Sequence, residues 1–254
     1  MSDLLDDMGV PVALEIPPAR VVSLVPSLTE ALAVSRPGLL VGATDWCTHP
    51  ADLDVPRVRG TKNPDLRAIA DLEPDLVIAN MEENRELDVH RLRDRGIAVW
   101  VTVTESVPQA VDAMDRLFCD VLGGDLPEWL VRARRQWCGE VPDEVARVAV
   151  PIWRDPWMVV GRDTFTGDVL RRIGLRNVYD DHEGRYPAVE VADIERRDPD
   201  VVLLPDEPYV FTAEDGPEMF TGCPTRLVSG RLLTWYGPAL VEAWDELAGT
   251  FAGN

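Results

Sequence analysis

The chain has 254 residues, 46% hydrophobic and 28% charged, which gives enough apolar surface for packed cores and excludes a disordered chain. Its 45 acidic side chains outnumber 25 basic ones, and the net charge of −20 repels phosphate backbones and anionic headgroups, so neither nucleic acid nor a membrane is an expected partner. No stretch reaches the roughly 20 apolar residues of a membrane helix. The start, Met1-Ser2-Asp3-Leu4-Leu5-Asp6-Asp7, has neither a basic region nor an apolar run of signal-peptide length, and reads as cytoplasmic.

Residues 1–18 read as an irregular leader ending at Pro17-Pro18. The β-branched run from Arg20 to Val25, stopped by Pro26, predicts a buried strand, and Ser27 with Glu30 three residues on predicts a capping box opening a helix. Further strands are predicted at 39–43, 76–79 and 99–103, with a helical pattern of Leu66, Ile69, Ala70 and Leu72 between them. Alternating strands and helices predict an N-terminal α/β lobe over 19–105 with a mostly parallel sheet. Ala110, Val111, Met114, Leu117, Phe118 and Val121 then recur at helical spacing, and a second helical stretch runs from Pro127 to about Cys138. These are bridging helices within 106–144. At Arg147-Val148-Ala149-Val150 a new strand–helix series opens a C-terminal α/β lobe over 145–254.

The second series repeats the first. Ile69 to Val77 (Ile-Ala-Asp-Leu-Glu-Pro-Asp-Leu-Val) matches Ile194 to Val202 (Ile-Glu-Arg-Arg-Asp-Pro-Asp-Val-Val) 125 positions later. The same shift carries Val22 onto Arg147, at the start of the second series. Two similar lobes joined by a helical backbone are the expected architecture. Ligands of open parallel sheets bind beyond the carboxyl ends of the strands, which places a ligand cleft between the lobes.

Residues just past the strands are therefore the candidates. Glu82, Glu83 and Asn84 follow the 76–79 strand; Glu207 and Tyr209 follow its counterpart, with Glu82 and Glu207 equivalent by the repeat. Lys62 is the one lysine in a chain that otherwise uses arginine. It lies in the turn Thr61-Lys62-Asn63-Pro64, placed to meet a ligand oxygen or to pair with Glu82 or Glu83. Trp153, Arg154 and Trp157 follow the second lobe's first strand, and Trp235 and Tyr236 follow its last. Aromatic side chains at such loops form apolar pocket walls, although Trp153 or Trp157 also suits plain core.

Cys47, Cys119, Cys138 and Cys223 form no CxxC pair and no zinc-finger spacing. Cys119 and Cys138 are assigned to core positions. Cys47-Thr48-His49 is a poor nucleophile–base pair on a loop. His49, His90 and His182 are scattered, so no metal site is assigned, and Asp180-Asp181-His182-Glu183 reads as a solvated acidic turn. No GxGxxG or P-loop is present. Two readings of the cleft stay open. It holds a small molecule, or it has become an active site with Lys62 and Glu82 or Glu83 as acid–base groups.

From Val22-Ser23-Leu24-Val25-Pro26-Ser27-Leu28-Thr29-Glu30 onward, and across nearly the whole chain after residue 18, the sequence resembles the helical-backbone metal receptor superfamily, the class III periplasmic binding protein fold. It is most similar to leaderless cobalamin-binding-like members, through Trp-Cys-Thr-His-Pro, Gly-Thr-Lys-Asn-Pro, Glu-Glu-Asn, Trp-Arg-x-Pro-Trp, Pro-Asp-Glu-Pro-Tyr and Trp-Tyr-Gly. The resemblance implies a stiff interlobe connection and a bulky ligand: a corrinoid, a metal chelate or a similar molecule. Trp235 matches an aromatic that flanks the corrin in those relatives. Two departures weigh against ABC importer docking and against cobalamin in particular. Arg67 stands where those relatives have a docking glutamate, and Thr61 stands where they have a second flanking tryptophan.

Overall fold

Strand β1 (Val21–Ser23) is buried at every residue, as its β-branched run requires. It leads into α1 (Pro26–Ser35), then β2 (Leu40–Ala43), a short hairpin of β3 (Arg59–Gly60) and β4 (Asn63–Pro64), α2 (Leu66–Asp71), β5 (Leu76–Asn80), α3 (Glu86–Arg93) and β6 (Val99–Thr102). Helices α4 (Val107–Arg116) and α5 (Glu128–Trp137) follow, with a π-helical turn over Leu117–Val121. Then come β7 (Ala146–Ala149), the β8 (Pro151–Trp153) and β9 (Met158–Val159) hairpin, α6 (Phe165–Arg172), β10 (Leu175–Asn177), α7 (Val191–Arg196), β11 (Val201–Pro205), β12 (Thr225–Val228), α8 (Gly230–Thr234) and α9 (Ala239–Ala243). This is a computed structural model, and it describes residues 4–248.

Two compact units result. The first runs to Thr104 and adds Gln109–Arg134 and Tyr236–Pro238; the second comprises Glu105–Pro108, Arg135–Trp235 and the stretch from Ala239 on. In the first unit the parallel sheet has the order β2-β1-β5-β6, around a core that includes Val22, Leu24, Ile69, Val77, Leu92 and Val101. In the second the order is β10-β7-β11-β12, again all parallel, with Ala149, Val159, Ile194, Val202, Leu204 and Phe211 in the core. The two sheets therefore share one strand order.

The shared Pro-Asp signal has a matching structural use in each unit. Asp75 accepts from the backbone N–H groups of Ala19 and Arg20 at 2.8 Å, and Asp200 from that of Arg147 at 2.7 Å. Arg20 donates to the carbonyls of Leu72 and Glu73, and Arg147 to those of Arg197 and Asp198. These carbonyls lie past the ends of α2 and α7, where backbone acceptors lack helical partners. Glu73 and Asp198, at φ 47° and 53°, both take the left-handed conformation that stops a helix.

Three sequence expectations need correction. Ser27 and Glu30 form no capping box. Pro26 takes the first helical position with its φ already suited to the helix, the cap residue is Val25, and Ser27 is buried inside α1. Cys119 is exposed and Cys138 half-buried, because Cys119 lies off the stripe of Met114, Leu117, Phe118 and Val121 and Cys138 follows the end of α5. Trp235 follows α8 instead of a strand, because β12 is followed by that short helix.

The N-terminal segment docks on the open edge of β6. Asp7 donates its backbone N–H to the Val101 carbonyl, and its carboxylate accepts from the Val103 N–H and pairs with Arg116. The fully buried Asp6 carboxylate pairs with Arg93 at 2.6 Å. A sheet edge is thereby covered instead of left as a template for another chain. Among the described residues, no helix is long and apolar enough to cross a membrane.

Candidate functional site

In the first unit, the segments past β2 and β5 meet the β3–β4 hairpin. Asn80, at the end of β5, organises the next turn. Its Oδ1 accepts from the N–H groups of Glu82 and Glu83, while its Nδ2 donates to the hydroxyls of Thr102 and Thr104. Asn84 closes the turn by accepting from the Asn80 N–H at 2.9 Å, and it donates to the Thr61 carbonyl at 3.0 Å. Lys62, exposed, donates through Nζ to the backbone carbonyl of Glu82. Thr61, Lys62, Asn63, Glu82, Glu83 and Asn84 thus form one cluster, although Lys62 and Glu82 are 20 positions apart in the chain.

Tyr236 joins the same cluster. Its buried hydroxyl donates to Glu83 at 3.3 Å, and burial, with the charge of Glu83, pushes its pKa far above that of a free tyrosine. It therefore acts as a donor at any ordinary pH and fixes the Glu83 carboxylate.

Sequence reasoning passed over Trp46. It lies three residues past β2 and is 65% exposed, an unusual state for so large an apolar ring. A Cβ on Gly60 would come within 3.1 Å of its indole nitrogen, so the glycine lets the ring lie against the hairpin that carries Lys62. The Trp-Cys-Thr-His-Pro segment carries this tryptophan, beside a cysteine and a histidine that are chemically more distinctive. Cys47 itself is fully buried between the hydroxyls of Thr29 and Thr44, at 3.0 and 3.2 Å. Burial pushes its pKa up, which disfavours the thiolate that nucleophilic chemistry needs.

In the second unit, Trp153 is 44% exposed and packs edge-on against Tyr209, with ring centroids 5.7 Å apart. Tyr209 donates to Asp215 at 2.7 Å. Arg154 pairs with Asp215 and, at 2.6 Å, with Glu218, so it ties down the long segment between β11 and β12. Trp157 is core, stacked on Phe211 and edge-on to Phe220. Glu207 follows β11 and accepts from the hydroxyl of Thr234 at 3.4 Å; burial pushes its carboxyl up. Among the described residues, no group of three or more His, Cys, Asp or Glu is placed to hold a metal ion.

Each unit therefore presents an exposed tryptophan past the carboxyl ends of its strands, and each holds a carboxylate there by hydrogen bonds: Glu83 from Tyr236 in the first, Asp215 from Tyr209 in the second. No protein-family model matches the chain. A vitamin B12-binding protein of Salmonella paratyphi A is 27% identical over 194 residues, 73% of this chain and 71% of that protein. The solved periplasmic vitamin B12 binding protein of Vibrio cholerae superposes with a TM-score of 0.74 at 19% identity, covering 93% of this chain and 97% of that one. A periplasmic heme binding protein of Pseudomonas aeruginosa gives 0.75 at 23% identity, covering 92% of each chain. The chain has the class III periplasmic binding protein fold. This is the two-lobed α/β fold of the helical-backbone metal receptors, as the repeat and motifs predicted.

The same findings overturn the expectation of a cytoplasmic protein. The solved vitamin B12 and heme binding proteins above are periplasmic, which points to the periplasm instead. The first residues of a chain report only on themselves, so their lack of signal-like character was a weak basis for a compartment.

Proposed function

We propose that this chain is a solute-binding protein that captures a bulky conjugated chelate, of the corrinoid, haem or ferric-siderophore kind. The ligand residues are those past the carboxyl ends of the two sheets: Thr61, Lys62, Asn63, Glu82, Glu83 and Asn84 with Trp46 and Tyr236, and Trp153, Arg154, Glu207, Tyr209 and Trp235. The observation that carries the proposal is the pair of exposed tryptophans, Trp46 after β2 in the first unit and Trp153 after β7 in the second. Exposed indoles are costly in water and suit a flat, apolar ring system. Lys62 and the held carboxylates suit the polar rim of such a ligand, its propionates, amides or oxygen donors. The fold shared with proteins named for vitamin B12 and heme binding supports the same ligand class.

Spectrophotometric titration of the purified protein with cyanocobalamin, haemin and a ferric catecholate tests it. At least one of the three is expected to saturate at one ligand per chain, with a shifted absorption band and quenched tryptophan fluorescence. Three flat titrations would remove the proposal.

A further inference from the structure

The Arg57 guanidinium is directed at three backbone carbonyls, all in the irregular loop between β2 and β3. Its Nη1 donates to those of Thr44 and Cys47 at 3.0 and 2.9 Å, and its Nη2 to that of Leu53 at 3.1 Å. The two carbonyls bound by Nη1 bracket Trp46, the exposed ring of this loop. We infer that Arg57 is a positioning residue for ligand capture, a clamp that ties the loop to the sheet and fixes Trp46 before a ligand arrives.

The clamp is mounted on a firm base. Arg57 bridges in parallel register to Ala43, the last residue of β2. The Ala43 N–H donates to the Pro56 carbonyl at 3.1 Å, and the Val58 N–H donates to the Ala43 carbonyl at 2.9 Å. The loop that Arg57 holds turns directly after β2: the Cys47 N–H donates to the Thr44 carbonyl at 3.1 Å, and the Thr48 N–H to the Trp46 carbonyl at 3.0 Å. On the core side the Cys47 thiol sits between the hydroxyls of Thr29 and Thr44. Towards the hairpin, the Asp45 N–H donates to the Arg59 carbonyl at 2.8 Å. Residues 48–53 form no strand or helix, so the Arg57 bonds join the turn that carries Trp46 to the far end of the loop.

An indole on a loose loop loses conformational freedom when a ligand packs on it, and that loss subtracts from affinity; a loop already fixed avoids it. A guanidinium suits this task because its planar fork reaches several acceptors at once, whereas a lysine ammonium is a single compact donor. The effect on capture rests on the ligand-binding reading above; the clamp itself does not.

Backbone hydrogen exchange in the unliganded full chain, compared among wild type, Arg57→Lys and Arg57→Ala, reads the clamp. Exchange at 44–53 is expected to quicken about tenfold in Arg57→Ala and by a smaller factor in Arg57→Lys, while the amides of β1 and β5 keep their wild-type rates. Titration with haemin or cyanocobalamin reads the role in capture. Affinity is expected to fall roughly fivefold in Arg57→Ala, but less than about twofold when the same change is made in Trp46→Ala, because Arg57 acts through that ring. Unchanged exchange at 44–53 in both variants overturns the clamp, and so does a quickening spread evenly over the first unit. An equal loss of affinity with and without the Trp46 ring overturns the positioning role. If neither probe binds, the ligand reading fails, the role in capture falls with it, and the exchange rates alone decide on the clamp.

Discussion

Asp168→Ala is expected to lower the unfolding free energy by about 3 kcal/mol, because it strips a buried carboxylate from an arginine that is itself nearly buried. The Asp168 side chain is 8% exposed and that of Arg172 11%, and they meet at 2.7 Å. Asp168 also accepts from the Val107 backbone N–H at 2.9 Å, at the start of α4, and from Arg171, which is over half exposed and contributes less. Arg172 keeps one acceptor, the Trp137 carbonyl, so the loss stays below the upper end of values for broken buried pairs. Burial works against ionisation of Asp168, but the donors Arg172, Val107 and Arg171 outweigh it and hold its pKa below the ordinary carboxylate value. The stabilisation is then fully present above the unfolded pKa of about 3.9 and is lost as the pH falls through the lower folded value. Urea midpoints should therefore differ clearly between wild type and Asp168→Ala at neutral pH, with the gap closing only below about pH 4. A gap of the same size throughout that range would mean that lost packing, not charge, causes the defect.

The second large effect concerns capture. The double variant Trp46→Ala, Trp153→Ala is expected to lose about 100-fold in affinity for whichever of haemin or cyanocobalamin binds, with each single change costing about tenfold. The two residues belong to different units, so their effects are expected to add. Neither ring is part of a core, so unfolding midpoints should move little. A double variant that binds as the wild type does would show that these rings face something other than the ligand.

Much of the architecture was legible because parallel strands buried on both faces must be written as short β-branched runs, as in Val21-Val22 and Leu76 to Ala79. The Pro-Asp repeat was legible for a further reason: each Asp and each preceding left-handed residue has a specific bonding role at a helix end. The site was legible only where local chemistry marked it, as in the Thr61-Lys62-Asn63 turn. Trp46 was missed because nothing in its neighbourhood says whether a tryptophan faces core or water; that depends on Gly60, fourteen residues later. Asn80 was missed because its role is to bond Thr102 and Thr104 on the adjacent strand and its exit, a pairing set by sheet order. Helix periodicity located the stripe of Met114 and Phe118 but said nothing of how far it extends, hence the error at Cys119.

Backbone hydrogen exchange with and without saturating haemin or cyanocobalamin tests capture at the sheet edges most directly. Ligand-dependent protection is expected at 60–64 and 80–84 in the first unit and at 206–209 in the second. Protection confined to other segments, such as 161–168 at the start of α6, would contradict it.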